Sequence, residues 1–226
     1  MAKTRVIKVQ DGVTELEGGG SLHLIRRFLS TETAQQLKSS LESRKEMWVQ
    51  SIYKMYGRDV PTPRLLGSMR SSTLAKKLIG GSVWDEDTEW IKNGVRWTKD
   101  MKLLKKRISS ELEIHTDYAQ LNLYRDGKDY IGYHTDSEVT PEGKVVSISL
   151  GQTRKFILRH KSTFPKLKEH RNTSASKRVN VRYEVELQDG DLLIMDEGAA
   201  KRYYKHCLPK SVKPMGSRIN ITFRQL

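Results

Sequence analysis

The chain has a single cysteine, Cys207, among its 226 residues, so no intrachain disulfide can form. That excludes the disulfide-stapled domains typical of small secreted proteins. No apolar run approaches the roughly 20 residues that a membrane-spanning helix needs. The opening MAKTRVIKVQ also lacks the apolar stretch of a secretory signal peptide. We therefore expect a soluble, intracellular, monomeric protein without membrane contact, nuclear in a eukaryote and cytoplasmic otherwise.

Acidic residues are also scarce. The chain has 27 Asp and Glu against 41 Lys and Arg, a net charge of +14. Residues 153–182 hold ten of the basic residues and one acid, Glu169. Such a segment can be a solvated loop that charge keeps soluble. Its place between two motif-bearing strands instead favours contact with nucleic acid, whose phosphates attract cations.

The N-terminal half reads as a short arm followed by helices. Residues 1–20 end in EGGG and form either a short strand pair or a flexible, disordered arm. Ser30 or Thr31 caps a first helix. A second helix starts near Lys99, and its inward-facing residues are predicted to be Leu103, Leu104, Ile108 and Leu112. The rest of the chain, 21–226, is predicted to be a single domain.

Short strands dominate from Ala119 onward. Helices first and strands afterwards indicate the α+β class, with the N-terminal helices packed on one sheet. The candidate metal ligands described in the next paragraph come from separate strands. That arrangement suits a double-sheet jelly roll, which leaves a pocket between its sheets.

Two histidines and one aspartate form the most informative motif. His134 and Asp136 lie in YIGYHTDSE and His206 in YYKHCLPK. Residues two apart on a strand share a face, so the first two can reach one ion. Two His and one carboxylate are the facial triad of non-haem Fe(II) sites, which leave positions open for O2 and a co-substrate. A lone His is more often a hydrogen-bonded core residue. Zinc also accepts this ligand set.

A second pattern suits an anionic co-substrate. Arg218 and Arg224 are an even number of positions apart in SRINITFRQL, so both guanidiniums point to one face of a strand and can grip a dicarboxylate. Thr222 lies between them on that face. Asn122 and Tyr124, also two apart, point together into a pocket, and Asn is otherwise depleted from strands.

Four blocks of sequence resemble one known family. NLYRDGKDYIGYHTDSE, SISLGQTRKFILRH, GDLLIMDEGAAKRYYKHCLPK and RINITFRQL are together similar to the AlkB family of Fe(II)/2-oxoglutarate dioxygenases, most closely to its eukaryotic-type DNA repair members. The resemblance covers roughly residues 97–226 well and the preceding part loosely. It implies a double-stranded β-helix fold, with Fe(II), 2-oxoglutarate and O2 as cofactor and co-substrates.

The resemblance also implies roles for individual residues. Asn122 would bind the C1 carboxylate of 2-oxoglutarate, with Arg224 near it on the metal side. Tyr124 and Arg218 would bind the distal C5 carboxylate, and Asn220 matches the position that accompanies them. His134, Asp136 and His206 match the iron ligands.

Two further residues match positions near the substrate. Glu138 follows Asp136 by two, where family members place an acid close to the damaged base. A carboxylate there favours the cationic N1-methyladenine and N3-methylcytosine over the normal bases. Arg154 matches an arginine that borders the substrate site.

Residues of about 45–75 resemble the family's nucleotide-recognition lid. Arg64 lies in its PRL block, and Tyr53 and Tyr56 just upstream are candidates to stack on a flipped base. The aromatic residue that usually follows this block is replaced by LGSMRSS. Trp48 occupies the place of a base-displacing finger, although a Trp in an alternating strand more often belongs to the core.

These expectations combine into one predicted function, the oxidative demethylation of N1-methyladenine and N3-methylcytosine in DNA. Succinate, CO2 and formaldehyde would be released. The alternatives are the same chemistry on RNA or tRNA, and a catalytically inactive nucleic-acid-binding module. A protein hydroxylase and a zinc hydrolase are weaker, because the charge disfavours the first and the paired arginines have no use in the second.

Overall fold

In the part of the chain that the structure describes, two β-sheets face each other and two helices cover the outer side of the larger sheet. The computed structural model describes residues 4–55, 57–70, 95–137, 139–164 and 179–224. Within these ranges no helix is both long enough and apolar enough to cross a bilayer.

The major sheet has seven antiparallel strands. Their bounds are β2 Gly12–Glu15, β3 Ser21–Ile25, β6 Leu65–Arg70, β7 Tyr118–Tyr124, β9 Val145–Gly151, β12 Leu192–Met195 and β14 Arg218–Arg224. Their spatial order is β2–β3–β12–β9–β14–β7–β6.

The minor sheet has five strands. The bounds are β1 Arg5–Lys8, β8 Ile131–His134, β10 Arg154–His160, β11 Val181–Leu187 and β13 Tyr204–Leu208. Their order is β1–β11–β10–β13–β8, and of these pairs only β1–β11 is parallel. A separate hairpin pairs β4 Ile52–Met55 with β5 Arg58–Pro61.

The alternation of β14 shows how the layers form. Ile219, Ile221 and Phe223 are fully buried in a core cluster between the major sheet and the helices. The alternate residues, Arg218, Asn220, Thr222 and Arg224, line a cavity on the opposite face, towards the minor sheet. One strand therefore contributes both to the core and to a polar cavity.

Both helices begin at side-chain caps. Helix α1, Thr31–Glu42, starts where the Ser30 hydroxyl accepts a hydrogen bond from the Thr33 amide at 3.2 Å. Helix α2, Lys99–Leu112, starts in the same way at Thr98. Leu104 and Ile108 are buried as predicted, whereas Leu103 is 58% exposed, because the buried stripe of α2 begins at Met101 instead.

The N-terminal residues join both sheets. Strand β1 pairs with β11 and β2 with β3, so the described part of the predicted arm consists of strands, which pair with different partners rather than with each other. The glycine triplet is the turn between β2 and β3. A Cβ on Gly19 would lie 2.7 Å from the Tyr203 ring, and one on Gly20 would lie 2.6 Å from the Ala199 amide nitrogen. Close packing with positive φ explains the glycines.

The α+β prediction is confirmed: the strands form a double-stranded β-helix, with helices packed on one of its sheets.

Candidate metal and co-substrate site

His134, Asp136 and His206 meet between the sheets. Their ligand atoms all lie within 4.8 Å of one another. His134 on β8 is the direct cross-strand neighbour of His206 on β13, and their rings are 4.3 Å apart between centroids. Asp136 Oδ2 is 3.6 Å from His206 Nε2, and Asp136 Oδ1 is 3.9 Å from His134 Nε2. One ion can therefore contact all three side chains.

His134 is prepared to ligate through one ring nitrogen. Its Nδ1 donates to the Gly132 carbonyl at 2.9 Å, which leaves Nε2, 3.9 Å from Asp136 Oδ1, as the unprotonated nitrogen that can bind a metal. Loss of hydration, followed by the effect of His206, lowers the pKa of His134 to about 4. The imidazole is therefore neutral at pH 7, as metal binding requires.

Asp136 is held ionised by a buried arginine. The carboxylate is 4% exposed, and its Oδ1 accepts from Arg224 Nη2 at 2.9 Å. Burial alone raises the pKa of a carboxyl group, but Arg224 and then His206 outweigh it, so the pKa of Asp136 lies well below its ordinary value. The backbone amide of Asp136 donates to the Ala200 carbonyl, which fixes the loop after β8.

A cavity of about 160 Å³ adjoins the three residues. The major sheet lines it with β7, β9, β12 and β14, and the minor sheet with β8, β10, β11 and β13. Its apolar side chains are those of Ile131, Phe156, Leu187, Met195 and Leu208. Among the described residues that line it, Asp136 is the only acid, against the guanidiniums of Arg64, Arg218 and Arg224. The cavity therefore favours an anion.

Arg218 offers an incompletely satisfied guanidinium. The side chain is 2% exposed, and its Nη2 donates to Ser149 Oγ at 2.9 Å. Its Nε and Nη1 have no hydrogen-bond partner among the described residues. Burial lowers the pKa of Arg218 to about 10, so it stays charged at pH 7. A buried cation with two unused donors fits a carboxylate ligand.

Tyr124, the cross-strand neighbour of Arg218, completes the far end of the cavity. Burial raises the pKa of Tyr124, so the hydroxyl stays protonated and can donate. The Arg218 guanidinium lies over the Tyr124 ring, 5.5 Å from its centroid. The residues present therefore fit 2-oxoglutarate at one end and Fe(II) at the other.

Asn220 and Thr222 line the cavity but bond to each other and to the sheet. Asn220 Nδ2 donates to Ser147 Oγ at 2.7 Å and to the Ile148 carbonyl at 3.1 Å, and Asn220 Oδ1 accepts from the Thr222 hydroxyl at 3.1 Å. These bonds use the hydrogen-bonding groups of the Asn220 amide, so a direct contact of Asn220 with the co-substrate stays a prediction.

Arg154 lies outside the cavity lining. Its guanidinium, 3% exposed, donates to the carbonyls of Asp126, Asp129 and Pro209 at 2.7 to 3.0 Å. Three carbonyl bonds brace the loop after β7 and the end of β13. The predicted substrate contact of Arg154 therefore finds no support in its position, and a structural role explains it better.

The predicted lid residues separate in the structure. Arg64 lines the cavity, while Tyr53 lies on the β4–β5 hairpin, 49% exposed and outside the cavity lining. Tyr56 and Glu138 lie outside the described residues. Trp48 packs on the core and donates from Nε1 to the Leu41 carbonyl at 3.0 Å, which favours the core alternative over a finger.

Sequence reasoning missed three polar residues around the cavity. Gln120 accepts from Arg224 Nη1 at 2.5 Å, and Ser147 and Ser149 accept from Asn220 and Arg218. All three follow the same alternation as the predicted residues, so extending the two-residue period along β7 and β9 would have found them. Cys207, by contrast, is a buried thiol whose pKa burial raises, which suits a packed residue.

Fold and site together define a class: a double-stranded β-helix protein with a His–Asp–His metal site and an arginine-lined anion cavity between its sheets. Comparison with known proteins gives the family. The family model described as the 2OG-Fe(II) oxygenase superfamily matches residues 21–224. The chain belongs to this superfamily, and its relatives include proteins named as AlkB homologues, in keeping with the resemblance that its motifs carry.

Three relatives and one solved structure illustrate the relationship. The DNA oxidative demethylase ALKBH2 of Homo sapiens is 32% identical over 132 residues, which cover 58% of this chain and 47% of that protein. ALKBH2 of Arabidopsis thaliana is 26% identical over 93% of this chain and 68% of that protein. The alpha-ketoglutarate-dependent dioxygenase alkB homolog 3 of Homo sapiens is 34% identical over 57% of this chain and 43% of that protein.

The solved structure of OsALKBH1 covers 96% of this chain and 99% of its own, with a TM-score of 0.56 and 18% identity, which supports the fold. The chain spans about half the length of the human relatives it matches. The name of the superfamily includes both Fe(II) and 2-oxoglutarate, abbreviated 2OG.

Proposed function

We propose that the protein is an Fe(II)- and 2-oxoglutarate-dependent dioxygenase that removes N-methyl groups from N1-methyladenine and N3-methylcytosine in DNA. The observation that carries the proposal is the meeting, in one cavity, of His134, Asp136 and His206 with the buried Arg218 and Arg224. A hydrolytic zinc site needs the three ligands but not the arginines.

Each residue would have a role that follows from its position in the cavity. The three triad side chains would hold Fe(II) through His134 Nε2, His206 Nε2 and an Asp136 oxygen. Arg218 and Tyr124 would hold the distal carboxylate of 2-oxoglutarate. Arg224 holds Asp136 in its ionised form. Once bound, Fe(II), 2-oxoglutarate and O2 would supply oxidation of the methyl carbon, and formaldehyde, succinate and CO2 would leave.

The protein's own part would otherwise be positioning and exclusion of water. Phe156 lies 5.4 Å from the His206 ring between centroids and, with Leu208, gives the cavity an apolar wall. The methyl group sits on the Watson–Crick edge of the base, so the base must be unpaired or flipped out. Flipping costs a few kcal/mol and is easiest where methylation has already broken the pair.

The proposal that the substrate is DNA rests on the names of the relatives and on the net charge of this chain. Two of the three relatives are named DNA oxidative demethylases, and the net charge of +14 suits a phosphate backbone. Glu138 is the proposed partner of the cationic base, and Tyr53 and Tyr56 remain candidates to stack on it. RNA is the second candidate substrate, because nothing in the described lining of the cavity selects the sugar. Such an enzyme would act in the nucleus of a eukaryote or otherwise in the cytoplasm.

The test is mass spectrometry of a short single-stranded DNA carrying one N1-methyladenine or N3-methylcytosine. The protein would be incubated with Fe(II), ascorbate and 2-oxoglutarate, and an RNA of the same sequence would be run beside it. His134→Ala and Asp136→Ala should abolish turnover, whereas His115→Ala, which changes an exposed histidine bonded to Ser109, should not.

Loss of one methyl mass in the complete reaction alone would support the demethylase. Succinate without methyl loss would keep the dioxygenase and reject these bases. Absence of succinate under every condition would overturn the enzyme and leave a nucleic-acid-binding module.

A further inference from the structure

We propose that Arg64 is a positioning residue of the co-substrate site: it orients the Asn122 amide so that the NH2 group faces the cavity and donates to a 2-oxoglutarate carboxylate. The inference rests on the proposed function. It gives Arg64 a role other than the substrate contact that its sequence position suggested.

The hydrogen bond fixes which way the amide points. Arg64 Nε lies 2.8 Å from the oxygen of the Asn122 amide. A guanidinium has donors and no acceptor, so the amide atom that faces it must be Oδ1. Nδ2 must then lie on the other side, and it donates to no other residue in the described part of the chain.

Asn122 is 7% exposed and is one of the residues that line the cavity, so an acceptor bound in the cavity is within its reach. Its neighbours across the sheet are Leu66 on β6 and Asn220 on β14, and the Asn220 amide is already used. A carboxylate in the cavity would satisfy the Asn122 donor. The Arg64 bond thus prepares this donor before the ligand arrives.

The backbone around Arg64 keeps it in place. The Arg64 carbonyl accepts from the Thr62 hydroxyl at 2.9 Å, and the Tyr130 amide donates to the Pro63 carbonyl at 2.9 Å. Arg64 Nη1 reaches back to the Tyr130 carbonyl at 3.5 Å. Arg64 is therefore clamped between the start of β6 and the loop that precedes β8.

Apart from orienting the amide, the positive charge of Arg64 attracts an anion into the cavity. The described lining of the cavity holds three guanidiniums and one carboxylate, so a dianion enters a site with excess positive charge. A variant that keeps the charge but loses the Nε–Oδ1 bond separates the two contributions. Arg64→Lys has these properties, and Arg64→Met removes both.

The experiment is calorimetric titration of 2-oxoglutarate into Mn(II)-loaded protein, which reports binding without turnover. Loss of one charge-assisted bond predicts that Arg64→Met binds about tenfold more weakly or worse. Arg64→Lys should also weaken binding, because a flexible ammonium lacks the rigid planar donor with which the guanidinium fixes the amide. Arg58→Met, which removes an exposed cation from the nearby hairpin, should match the unmodified protein.

A double-mutant cycle identifies the route of the effect. If Arg64 acts through Asn122, Arg64→Met should have much less effect in an Asn122→Ala background than in the unmodified protein. In turnover assays the KM for 2-oxoglutarate should rise while kcat at saturating 2-oxoglutarate changes by less than about twofold. Binding of the methylated oligonucleotide should be unchanged.

Equal 2-oxoglutarate affinity in Arg64→Met and unmodified protein would overturn the inference, as would an undiminished effect in the Asn122→Ala background. Weaker oligonucleotide binding with normal 2-oxoglutarate binding would restore the substrate-contact role. Failure of the unmodified Mn(II) protein to bind 2-oxoglutarate would instead overturn the proposed function.

Discussion

Arg224 and Asp136 form a buried ion pair at the centre of the site, with Arg224 Nη2 2.9 Å from Asp136 Oδ1. Both side chains are 5% exposed. The pair occupies one carboxylate oxygen and leaves the other, Oδ2, 3.6 Å from His206 Nε2. Arg224 therefore decides both the charge of Asp136 and which oxygen is directed towards His206.

We predict that Arg224→Met weakens metal binding by about ten- to a hundred-fold, the usual effect of losing a residue that orients a metal ligand. Titration of the purified protein with Mn(II) measures it. Arg224→Lys should retain part of the affinity, and Arg218→Met, which does not touch Asp136, should serve as the matched control. Unchanged metal affinity in Arg224→Met would mean that Asp136 does not depend on this ion pair.

Replacing Arg218 should separate stability from ligand binding. Its Nε and Nη1 have no hydrogen-bond partner in the described chain, so Arg218→Met should leave the free energy of unfolding of the ligand-free protein unchanged or raise it. The same change should weaken 2-oxoglutarate binding by about ten- to a hundred-fold, because charge-assisted bonds are lost.

Urea unfolding and calorimetric titration measure the two effects on one preparation. A destabilised protein with normal 2-oxoglutarate binding would show that Arg218 serves the fold alone.

The metal-free protein should lose stability as the pH falls from about 6.5 to about 4. The pKa of His134 is about 4 in the folded chain and 6.5 in its unperturbed state, so in this window the unfolded chain binds a proton that the folded chain does not. Stability then falls as pH falls. His134→Gln should flatten the curve of unfolding free energy against pH in this window. An identical pH dependence in both proteins would contradict the lowered pKa.

Replacing Trp48 and replacing Tyr53 should have opposite effects: the first should lower stability, and the second should affect oligonucleotide binding. Trp48 packs on the core, so Trp48→Ala should cost about 3 kcal/mol of unfolding free energy. Tyr53 is exposed on the hairpin, so Tyr53→Ala should change stability by less than about 0.5 kcal/mol. If Tyr53 stacks on a base, its loss should weaken oligonucleotide binding by about tenfold.

Denaturant unfolding and fluorescence anisotropy at fixed salt measure these effects. Normal oligonucleotide binding by Tyr53→Ala would remove Tyr53 from the substrate site.

The strands and the shared faces could be predicted from the sequence because a strand has a period of two. That period places Arg218 with Arg224 on one face of β14, whereas β8 ends at His134 and Asp136 lies in the loop that follows; the fold brings all four into one cavity. The period does not reveal which cavity residues bond to one another. The Asn220 amide, for example, hydrogen-bonds within the major sheet to β9, a strand distant in sequence.

The roles of Arg64 and Arg154 could not be told apart from the sequence. Both matched positions near the substrate, yet one lines the cavity and the other binds three backbone carbonyls. The position of a residue in a motif predicts which part of the structure it lies in, but not its hydrogen-bond partners. The carbonyls that accept from Arg154 come from two loops that are separated in sequence. The pairing of β1 and β2 with different sheets was likewise invisible, because four-residue strands carry almost no periodic signal.

Strand β14 lies between β7 and β9 in the major sheet, although both are synthesised before it. Until Arg218–Arg224 leaves the ribosome, two neighbouring strands have unpaired backbone edges, which are prone to aggregation. Contacts this distant in sequence also form slowly. A truncation before Arg218 would therefore remove both arginines and open the sheet, so solubility and catalysis should be lost together.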